Sequence, residues 1–260
     1  MAIIGINGYS GSGKDTVGMI IQYLIANTSN PKDPIAVPIE KIATDPLKYQ
    51  ETLEESSGWE IKKFAGKLKD IASHLTGIDP EDFEDQEFKK TNLGREWWTV
   101  SEEGYQPMTV RDFLQKLGTD ALRNGLHTNV WVNALMADYK QDVDLGTFRY
   151  AKGYKEDRHF VPGSEDNKIT FTELYEYVQE VPFPNWIITD VRFYNEAEAV
   201  KDKKGIIIRV DRPGFKPINT HASENSLDDW NFDYKIANVS DLLSLKSTVQ
   251  GILKHAKIIK

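Results

Sequence analysis

Cysteine is absent from the 260-residue sequence, and this absence excludes disulfide bonds, thiolate metal sites and cysteine nucleophiles. Long apolar runs are absent as well, since none approaches the roughly 20 residues of a membrane-spanning helix. Basic residues are in deficit: 32 Lys and Arg face 40 Asp and Glu, and the net charge is −8. This balance argues against a protein that coats DNA or another polyanion. We therefore expect neither nucleic acid nor a membrane as a partner.

The chain enters an apolar run within two residues of its start, which leaves no room for a signal or transit peptide. We therefore expect a soluble protein that acts in the cytoplasm. The length is compatible with one large domain over residues 1–260 that buries a sizeable core. The overall composition is ordinary for a globular protein.

The clearest chemical signal is a glycine-rich loop that joins an apolar run to a helical pattern near the start of the chain. In such loops, consecutive backbone N–H groups turn toward phosphate oxygens, and the next helix adds its positive N-terminal end. A glycine turn without a ligand is the alternative, but the strand–loop–helix context favours a phosphate site. The predicted phosphate-binding residues are Gly8, Ser10, Gly11, Ser12, Gly13, Lys14, Asp15 and Thr16.

Asp15 departs from the usual pattern of these loops, which place a magnesium-binding hydroxyl directly after the lysine. Here the hydroxyl follows one position later, as Thr16. A carboxylate beside a polyphosphate is tolerable only if a cation bridges the two or if the carboxylate orients a neighbouring group. We therefore predict that Asp15 binds magnesium or orients Lys14.

Another apolar strand, predicted over residues 186–190, ends in Asp190. Phosphate-loop enzymes often hold magnesium at this position, directly or through water, so Asp15 and Asp190 are the candidate metal ligands. Arg192 follows closely and is a candidate catalytic cation. Arg212 lies in the loop after the next predicted strand, at the same edge of the sheet, and is a candidate nucleotide-binding residue.

The region from 64 to 138 has mainly helical spacing and carries basic residues that suit an acceptor substrate. Arginine side chains can bind phosphate oxygens through two parallel hydrogen bonds. The alternative is a charged surface that only faces solvent. The candidate substrate-binding residues in this region are Lys69, Arg111, Gln115, Asp120, Arg123 and Trp131.

Alternation of strands and helices predicts an α/β fold, with a mainly parallel sheet of about five strands in a three-layer αβα arrangement. The strands are expected at 2–7, 59–63, 186–190, 206–210 and 234–237. The polar, proline-rich stretch 28–58 is interpreted as an excursion from the core without recognisable chemistry. The polar stretch 141–170 is either a variable surface insertion or a mobile lid over the phosphates.

Taken together, these motifs resemble the bacteriophage-type deoxynucleoside monophosphate kinases, which are P-loop kinases. The matching segments are Gly8-x-x-Gly11-x-Gly13-Lys14-x-Thr16, Phe64-Ala65-x-x-Leu68-Lys69-Asp70, residues 82–89, Arg111-x-x-x-Gln115-x-x-Gly118-Thr119-Asp120-x-x-Arg123, Trp131-Val132, Thr189-Asp190-Val191-Arg192-Phe193-x-Asn195-Glu196 and His221-x-Ser223-Glu224. They occur in order along most of the chain, so the resemblance is more specific than the phosphate loop alone.

The resemblance implies transfer of the ATP γ-phosphoryl group to a deoxynucleoside 5′-monophosphate, with Mg²⁺, as a step of DNA precursor synthesis. It assigns ATP phosphates to residues 8–16, with Lys14 on the transferred group, and the monophosphate to Lys69, Arg111, Arg123 and Trp131. It also implies a homodimer and, for a phage-encoded protein, the host-cell cytoplasm. Two alternatives stay open: a P-loop kinase for another small phosphorylated acceptor, and a regulatory ATPase.

Overall fold

A computed structural model describes residues 2–102, 104–140, 183–214 and 226–260. The predicted lid or variable insertion over 141–170 lies outside the described residues, as does the segment around His221. Both interpretations of 141–170 therefore stay predictions. Among the helices that are described, none is long and apolar enough to cross a membrane.

The centre of the fold is a five-stranded parallel sheet with the strand order β2-β5-β1-β6-β7. In chain order the strands are β1 (Ile3–Asn7), β2 (Trp59–Lys62), the short antiparallel pair β3 (Thr99–Ser101) and β4 (Gly104–Gln106), β5 (Asn185–Ile188), β6 (Ile206–Asp211) and β7 (Tyr234–Ala237). All five predicted strands are present in this sheet. Every residue of β1 is buried, as expected for the middle strand of a parallel sheet that is covered on both faces.

Eight α-helices are described, and they surround this sheet or extend from its edge. They are α1 (Lys14–Ser29), α2 (Ile39–Thr44), α3 (Pro46–Ser57), α4 (Phe64–Thr76), α5 (Val110–Gln115), α6 (Val130–Met136), α7 (Tyr194–Asp202) and α8 (Leu242–His255). A π-helical segment, Lys116–Asn124, continues α5, and 3₁₀ turns form at Asp82–Glu84, Phe88–Lys90 and Arg95–Trp97.

The two faces of the sheet carry separate apolar cores. Ile4 and Ile6 of β1 belong to a core with residues of α1, α2, α3 and α8, whereas Ile3 belongs to a core with residues of α4, α6 and α7. This division follows from the strand geometry, because successive side chains point to opposite faces. The predicted three-layer α/β fold is confirmed.

A third, smaller core holds together the region between α4 and α5. Phe83 and Ala72 are completely buried in it, and Val110 and Phe113 of α5 pack against them. This core lies within the region 64–138 that we predicted to be helical and to bind the acceptor. The region therefore has a core of its own, while Phe64, Trp131 and Leu135 connect it to one core of the sheet.

At three places the local structure differs from what the sequence patterns indicate. The stretch 28–58 is not an excursion from the core, because it contains α2 and α3 and buries Ile39, Ile42 and Leu53 in the core beside α1. Asp79 and Pro80 form a pair typical of a helix start, but the only helical element that follows directly is the 3₁₀ turn Asp82–Glu84. The β3–β4 hairpin was not predicted, because its strands are three residues long and largely exposed.

Candidate functional site

The phosphate loop requires glycine at two positions for different geometric reasons. A Cβ atom on Gly8 would lie 2.4 Å from the backbone oxygen of Val210 and 2.6 Å from Ser12 Oγ. Gly13, which precedes α1, has a φ of +99°, and L-amino acids rarely adopt this left-handed conformation. The glycines of the motif are therefore required by the close approach of neighbouring chain and by backbone conformation.

Lys14 lies in the first turn of α1 and is buried. Its ammonium group donates a hydrogen bond of 2.8 Å to the backbone oxygen of Tyr9, so the side chain folds back over the loop. In this orientation the charge lies beside the loop whose N–H groups are predicted to surround phosphate. The role of Lys14 on the transferred phosphoryl group stays a prediction.

Arg209, a buried arginine that the sequence patterns did not indicate, contacts residues at the start of the phosphate loop. Arg209 of β6 donates hydrogen bonds of 2.7 Å to Asn7 and to Asp211, and its guanidinium lies 4.5 Å from the centroid of the Tyr9 ring. The Tyr9 hydroxyl in turn donates to Asp228 at 3.0 Å. These contacts hold the first half of the loop against the end of the sheet.

Asp15 occupies an open cleft beside the loop, with 70% of its side chain exposed. Thr189 donates a hydrogen bond of 2.9 Å to Asp15 Oδ1, and the ammonium of Lys63 lies 3.4 Å from the same oxygen. Partial desolvation by the cleft walls opposes ionisation, but Lys63, Thr189 and Lys14 outweigh it and lower the pKa of Asp15. Asp15 is therefore an ionised carboxylate directed toward solvent and toward a neighbouring cation.

Asp190 is buried and has a structural contact that the sequence did not indicate. It lies in the turn two residues after β5, and its two carboxylate oxygens accept hydrogen bonds from the backbone N–H groups of Phe64 at 2.8 Å and Ala65 at 2.9 Å. Asp190 therefore caps the N-terminus of α4, where a negative charge is favourable. A magnesium contact of this carboxylate, direct or through water, stays a prediction.

Four cations lie around the 3₁₀ turn that contains Glu84, and two of them pair with its carboxylate. Lys69 forms an ion pair with Glu84, and Lys63 lies 3.5 Å from the same carboxylate. Lys89 donates to the backbone oxygen of Glu84 at 3.4 Å. Arg111 donates to Gln86, two residues further along, at 3.1 Å. We call Lys63, Lys69, Lys89 and Arg111 the cation cluster.

The surroundings of Lys89 in the cation cluster disfavour its charged form. Desolvation and the nearby charges of Lys69, Arg111 and Lys63 lower the pKa of Lys89 to about 8, although Glu84 opposes this effect. Glu84 therefore does not offset these effects at Lys89. A phosphate dianion beside Lys89 would favour its protonated form.

Two predicted substrate-binding residues lie in the protein interior instead. Arg123 is buried and pairs with Glu196 at 2.6 Å, while its guanidinium lies 3.7 Å from the centroid of the Phe193 ring. Trp131 is also buried, and its indole N–H donates to the backbone oxygen of Gly118 at 3.0 Å. The structure does not bring these two side chains to the cation cluster, and a role in binding the monophosphate stays an untested prediction for both.

The partner of Arg123 is an unusual carboxylate. Burial, together with the charge of Asp190, raises the pKa of Glu196 to about 7, although the Arg192 backbone N–H and Arg123 act in the opposite direction. Glu196 also accepts a hydrogen bond of 2.8 Å from that N–H group. The pair therefore fixes the turn that carries Arg192 after β5.

The remaining predicted residues lie at the periphery of the site. Arg212 is exposed, and its guanidinium is 3.5 Å from the backbone oxygen of Gly11 in the phosphate loop. Gln115 and Asp120 line a groove of about 330 Å³ together with Met108 and Lys116. Gln115 follows Arg111 by one helical turn, so these two residues lie on the same helix face.

The sequence analysis therefore missed Lys63, Lys89, Glu84 and Arg209. Lys89 and Glu84 belong to a strongly acidic segment that ends in two lysines, and such a charged segment usually forms a solvated surface. Lys63 comes from the end of β2 and meets Glu84 only because α4 and the 3₁₀ turn pack together. The motif that resembled the kinase family did include residues 82–89, and this was the one signal that pointed to Lys89.

Comparison with known proteins found no matching family model. The chain is 26% identical over 234 residues to a putative deoxynucleotide monophosphate kinase of Acanthamoeba polyphaga mimivirus, an alignment that covers 87% of this chain and 82% of the relative. It is also 26% identical over 146 residues to the deoxynucleotide monophosphate kinase of Enterobacteria phage T4, which covers 56% of this chain and 46% of the phage protein. These similarities confirm the resemblance to the phage-type kinases.

Proposed function

We propose that this protein transfers the γ-phosphoryl group of ATP to a deoxynucleoside 5′-monophosphate and so produces the diphosphate for DNA synthesis. The observation that carries the proposal is that the phosphate loop and the cation cluster meet at Lys63. The phosphate loop lies on one side and the cation cluster on the other, and Lys63 lies between carboxylates of both. The names of the two viral relatives support the same reaction.

The donor half of the proposed site is the phosphate loop. Its backbone N–H groups and the N-terminus of α1 would hold the ATP phosphates, and Lys14 would stabilise the transferred group. Arg212, which contacts the loop at Gly11, would hold the outer part of the nucleotide. Asn238 keeps the loop in place, since its amide donates to the Ser12 backbone oxygen at 2.9 Å.

The donor half also fits a magnesium ion that is held mainly by the nucleotide. Within the described ranges, no group of three His, Cys, Asp or Glu side chains is arranged to bind a metal by itself. Magnesium in kinase sites usually has one or two carboxylates and several phosphate oxygens as ligands. Asp15 and the Thr16 hydroxyl would supply oxygen ligands, and Asp190, the residue after the Thr189 that donates to Asp15, would contact the ion directly or through water. When bound, the ion would neutralise charge on the phosphates.

The acceptor half of the proposed site is the cation cluster with the groove beside it. Lys69, Lys89 and Arg111 would bind the phosphate of the monophosphate through charge-assisted hydrogen bonds. The nucleoside would extend into the groove that Gln115 and Asp120 line. Glu84 would then exchange part of its contacts with the cluster for contacts with water.

The proposed chemistry needs no nucleophile from the protein. An oxygen of the acceptor phosphate attacks the γ-phosphorus, and the bond to the bridging oxygen of ADP breaks. Positioning and charge neutralisation supply most of the catalysis in such reactions. This explains why the candidate site is rich in lysine and arginine and has no histidine or serine arranged as a nucleophile among the described residues.

Three further properties are part of the proposal and stay untested. The substrates are small nucleotides, which places the activity in the cytoplasm, and in the host cytoplasm for a phage-encoded protein. A homodimer is implied only by the resemblance. A lid formed by 141–170 would keep water from the γ-phosphate, which would otherwise be hydrolysed.

The proposed function is tested by an acceptor screen with ATP, Mg²⁺ and coupled detection of ADP. The acceptors are the deoxy- and ribonucleoside monophosphates, with phosphomevalonate and dephospho-coenzyme A as other small phosphorylated acceptors. We expect ADP formation that depends on at least one deoxynucleoside monophosphate. Activity only with another acceptor would favour a different P-loop kinase. Slow hydrolysis that no acceptor changes would favour a regulatory ATPase.

A further inference from the structure

Lys63 lies at the junction between the donor and acceptor halves of the site. It directly follows β2 and precedes α4, with extended backbone angles of φ −138° and ψ 135°. Its ammonium lies 3.4 Å from Asp15 Oδ1 and 3.5 Å from Glu84 Oε2. These two carboxylates come from different parts of the fold: Asp15 follows Lys14 in α1, and Glu84 lies in the centre of the cation cluster.

We propose that Lys63 is a catalytic residue that contacts the phosphates of both substrates during phosphoryl transfer. This inference rests on the proposed function, because it assigns a role within the same reaction. Nothing in the motifs pointed to Lys63. The assignment comes from its position between the two halves of the site.

The contacts of Lys63 with the two carboxylates can be replaced by contacts with substrate phosphates. Charge-assisted hydrogen bonds between an ammonium and a carboxylate are usually about 2.7–2.9 Å long, and both contacts of Lys63 are longer. The side chain is 29% exposed, so solvent and ligands reach it. An ammonium has three donors on a flexible stem, so it can replace two carboxylates by phosphate oxygens without moving the backbone.

The charge of Lys63 is secure at neutral pH. A lysine side chain ordinarily has a pKa of about 10.4, so it is protonated at neutral pH. The residue therefore enters the reaction as a cation. It does not act as a proton donor or acceptor.

The reaction step requires no proton transfer to or from Lys63. A lone pair of the acceptor phosphate oxygen forms the new bond to the γ-phosphorus. The bond between that phosphorus and the β–γ bridging oxygen breaks, and its electron pair stays on ADP. A cation between attacking oxygen and γ-phosphate reduces their repulsion and stabilises charge on the oxygens in the transition state.

A purely structural role is the competing explanation, since Lys63 also ties α1 to the 3₁₀ turn at Glu84. The neighbouring Lys62 offers a matched control for it. Lys62 has a similar exposure, 35%, and pairs with Glu60 at 2.6 Å instead of with a residue of the site. Substitution of either lysine by methionine thus removes a partly exposed ion pair. Only the substitution of Lys63 affects the proposed site.

The test compares wild type, Lys63→Met, Lys63→Arg and Lys62→Met by kcat, by KM for ATP and for the best deoxynucleoside monophosphate, and by Tm. We expect Lys63→Met to lower kcat by about 10²–10³-fold, the range seen when one transition-state donor is removed. Both KM values should change by less than about threefold, because the loss is confined to the transition state. Lys63→Arg should recover part of the activity, and Lys62→Met should resemble wild type.

A second measurement separates the two explanations even if Lys63→Met is less stable. The probe is a bisubstrate analogue in which adenosine and the deoxynucleoside are joined by five phosphates. We expect Lys63→Met to weaken its binding at least tenfold more than the binding of ATP or the monophosphate alone. Equal losses for all three ligands, or a kcat near that of wild type, would overturn the inference. A wild type without any activity on deoxynucleoside monophosphates would overturn the proposed function and this inference together.

Discussion

Lys89 gives the acceptor half of the site a pH dependence that can be worked out from the structure. Desolvation and three neighbouring cations hold its pKa at about 8. A bound phosphate favours the protonated form, so the monophosphate binds best where Lys89 is already charged. We predict that KM for the acceptor rises as the pH increases from 7 to 9 and that Lys89→Met removes most of this rise.

The size of the effect follows from the fraction of protonated Lys89. With a pKa of about 8, roughly nine tenths of the molecules carry the charge at pH 7 and roughly one tenth at pH 9. The acceptor phosphate, with a second pKa of about 6, is a dianion throughout this range and adds no change of its own. The expected rise in KM is therefore about tenfold in wild type.

As the pH rises, the contribution of Lys89 to the free energy of unfolding increases, whereas acceptor binding becomes weaker. The two effects can therefore be distinguished. The folded-state pKa of Lys89 lies below the unfolded value of 10.5, so the unfolded chain binds more protons between these pH values. The contribution of Lys89 to the free energy of unfolding therefore increases as the pH rises through this window. Weaker acceptor binding above pH 8 therefore does not result from destabilisation of the folded protein by the deprotonation of Lys89.

The assay is a steady-state titration of the monophosphate at saturating ATP and at several pH values, with Lys90→Met as control. Lys90 is the next residue, but it is exposed and pairs with Glu87 at 2.7 Å. Lys90→Met should keep the wild-type profile. A flat wild-type profile, or a Lys89→Met profile as steep as that of wild type, would refute the reasoning.

Two further substitutions test other parts of the account. Lys14→Ala should lower kcat by about 10²–10³-fold with an almost unchanged Tm, because it removes the cation on the transferred group; near-normal turnover would contradict the phosphate-loop assignment. Arg123→Met should lower the free energy of unfolding by about 3–5 kcal/mol at pH 8 in urea titrations, because it leaves a buried carboxylate unpaired. The loss should be smaller at pH 5, where Glu196, with its pKa raised to about 7, is protonated; a loss that is the same at both pH values would contradict this explanation.

The sheet and the phosphate loop were predictable because their signals are local. The strands of the sheet are short apolar runs, and the loop glycines follow one another within a few residues. Thr109 and Asp112 form a capping box at the start of α5, and their spacing of three residues is typical of this local motif. Local patterns of this kind need no knowledge of the rest of the fold.

The acceptor half was less predictable because tertiary packing decides which charges meet. Arg123 and Glu196 are 73 positions apart, and their buried ion pair has no signature in the sequence. Asp190 and the N–H group of Phe64 are 126 positions apart. An arginine that suited phosphate by its chemistry thus pairs with a carboxylate, whereas Lys63 and Lys89 face the site.

The most direct test of the account follows the phosphoryl group itself. The protein is incubated with [γ-³²P]ATP, Mg²⁺ and the preferred deoxynucleoside monophosphate, and the products are separated by chromatography. The account predicts label in the β-phosphate of the deoxynucleoside diphosphate, in equal amount to the ADP formed. Label that appears only as inorganic phosphate would contradict the claim that the phosphate loop and the cation cluster form one two-substrate site.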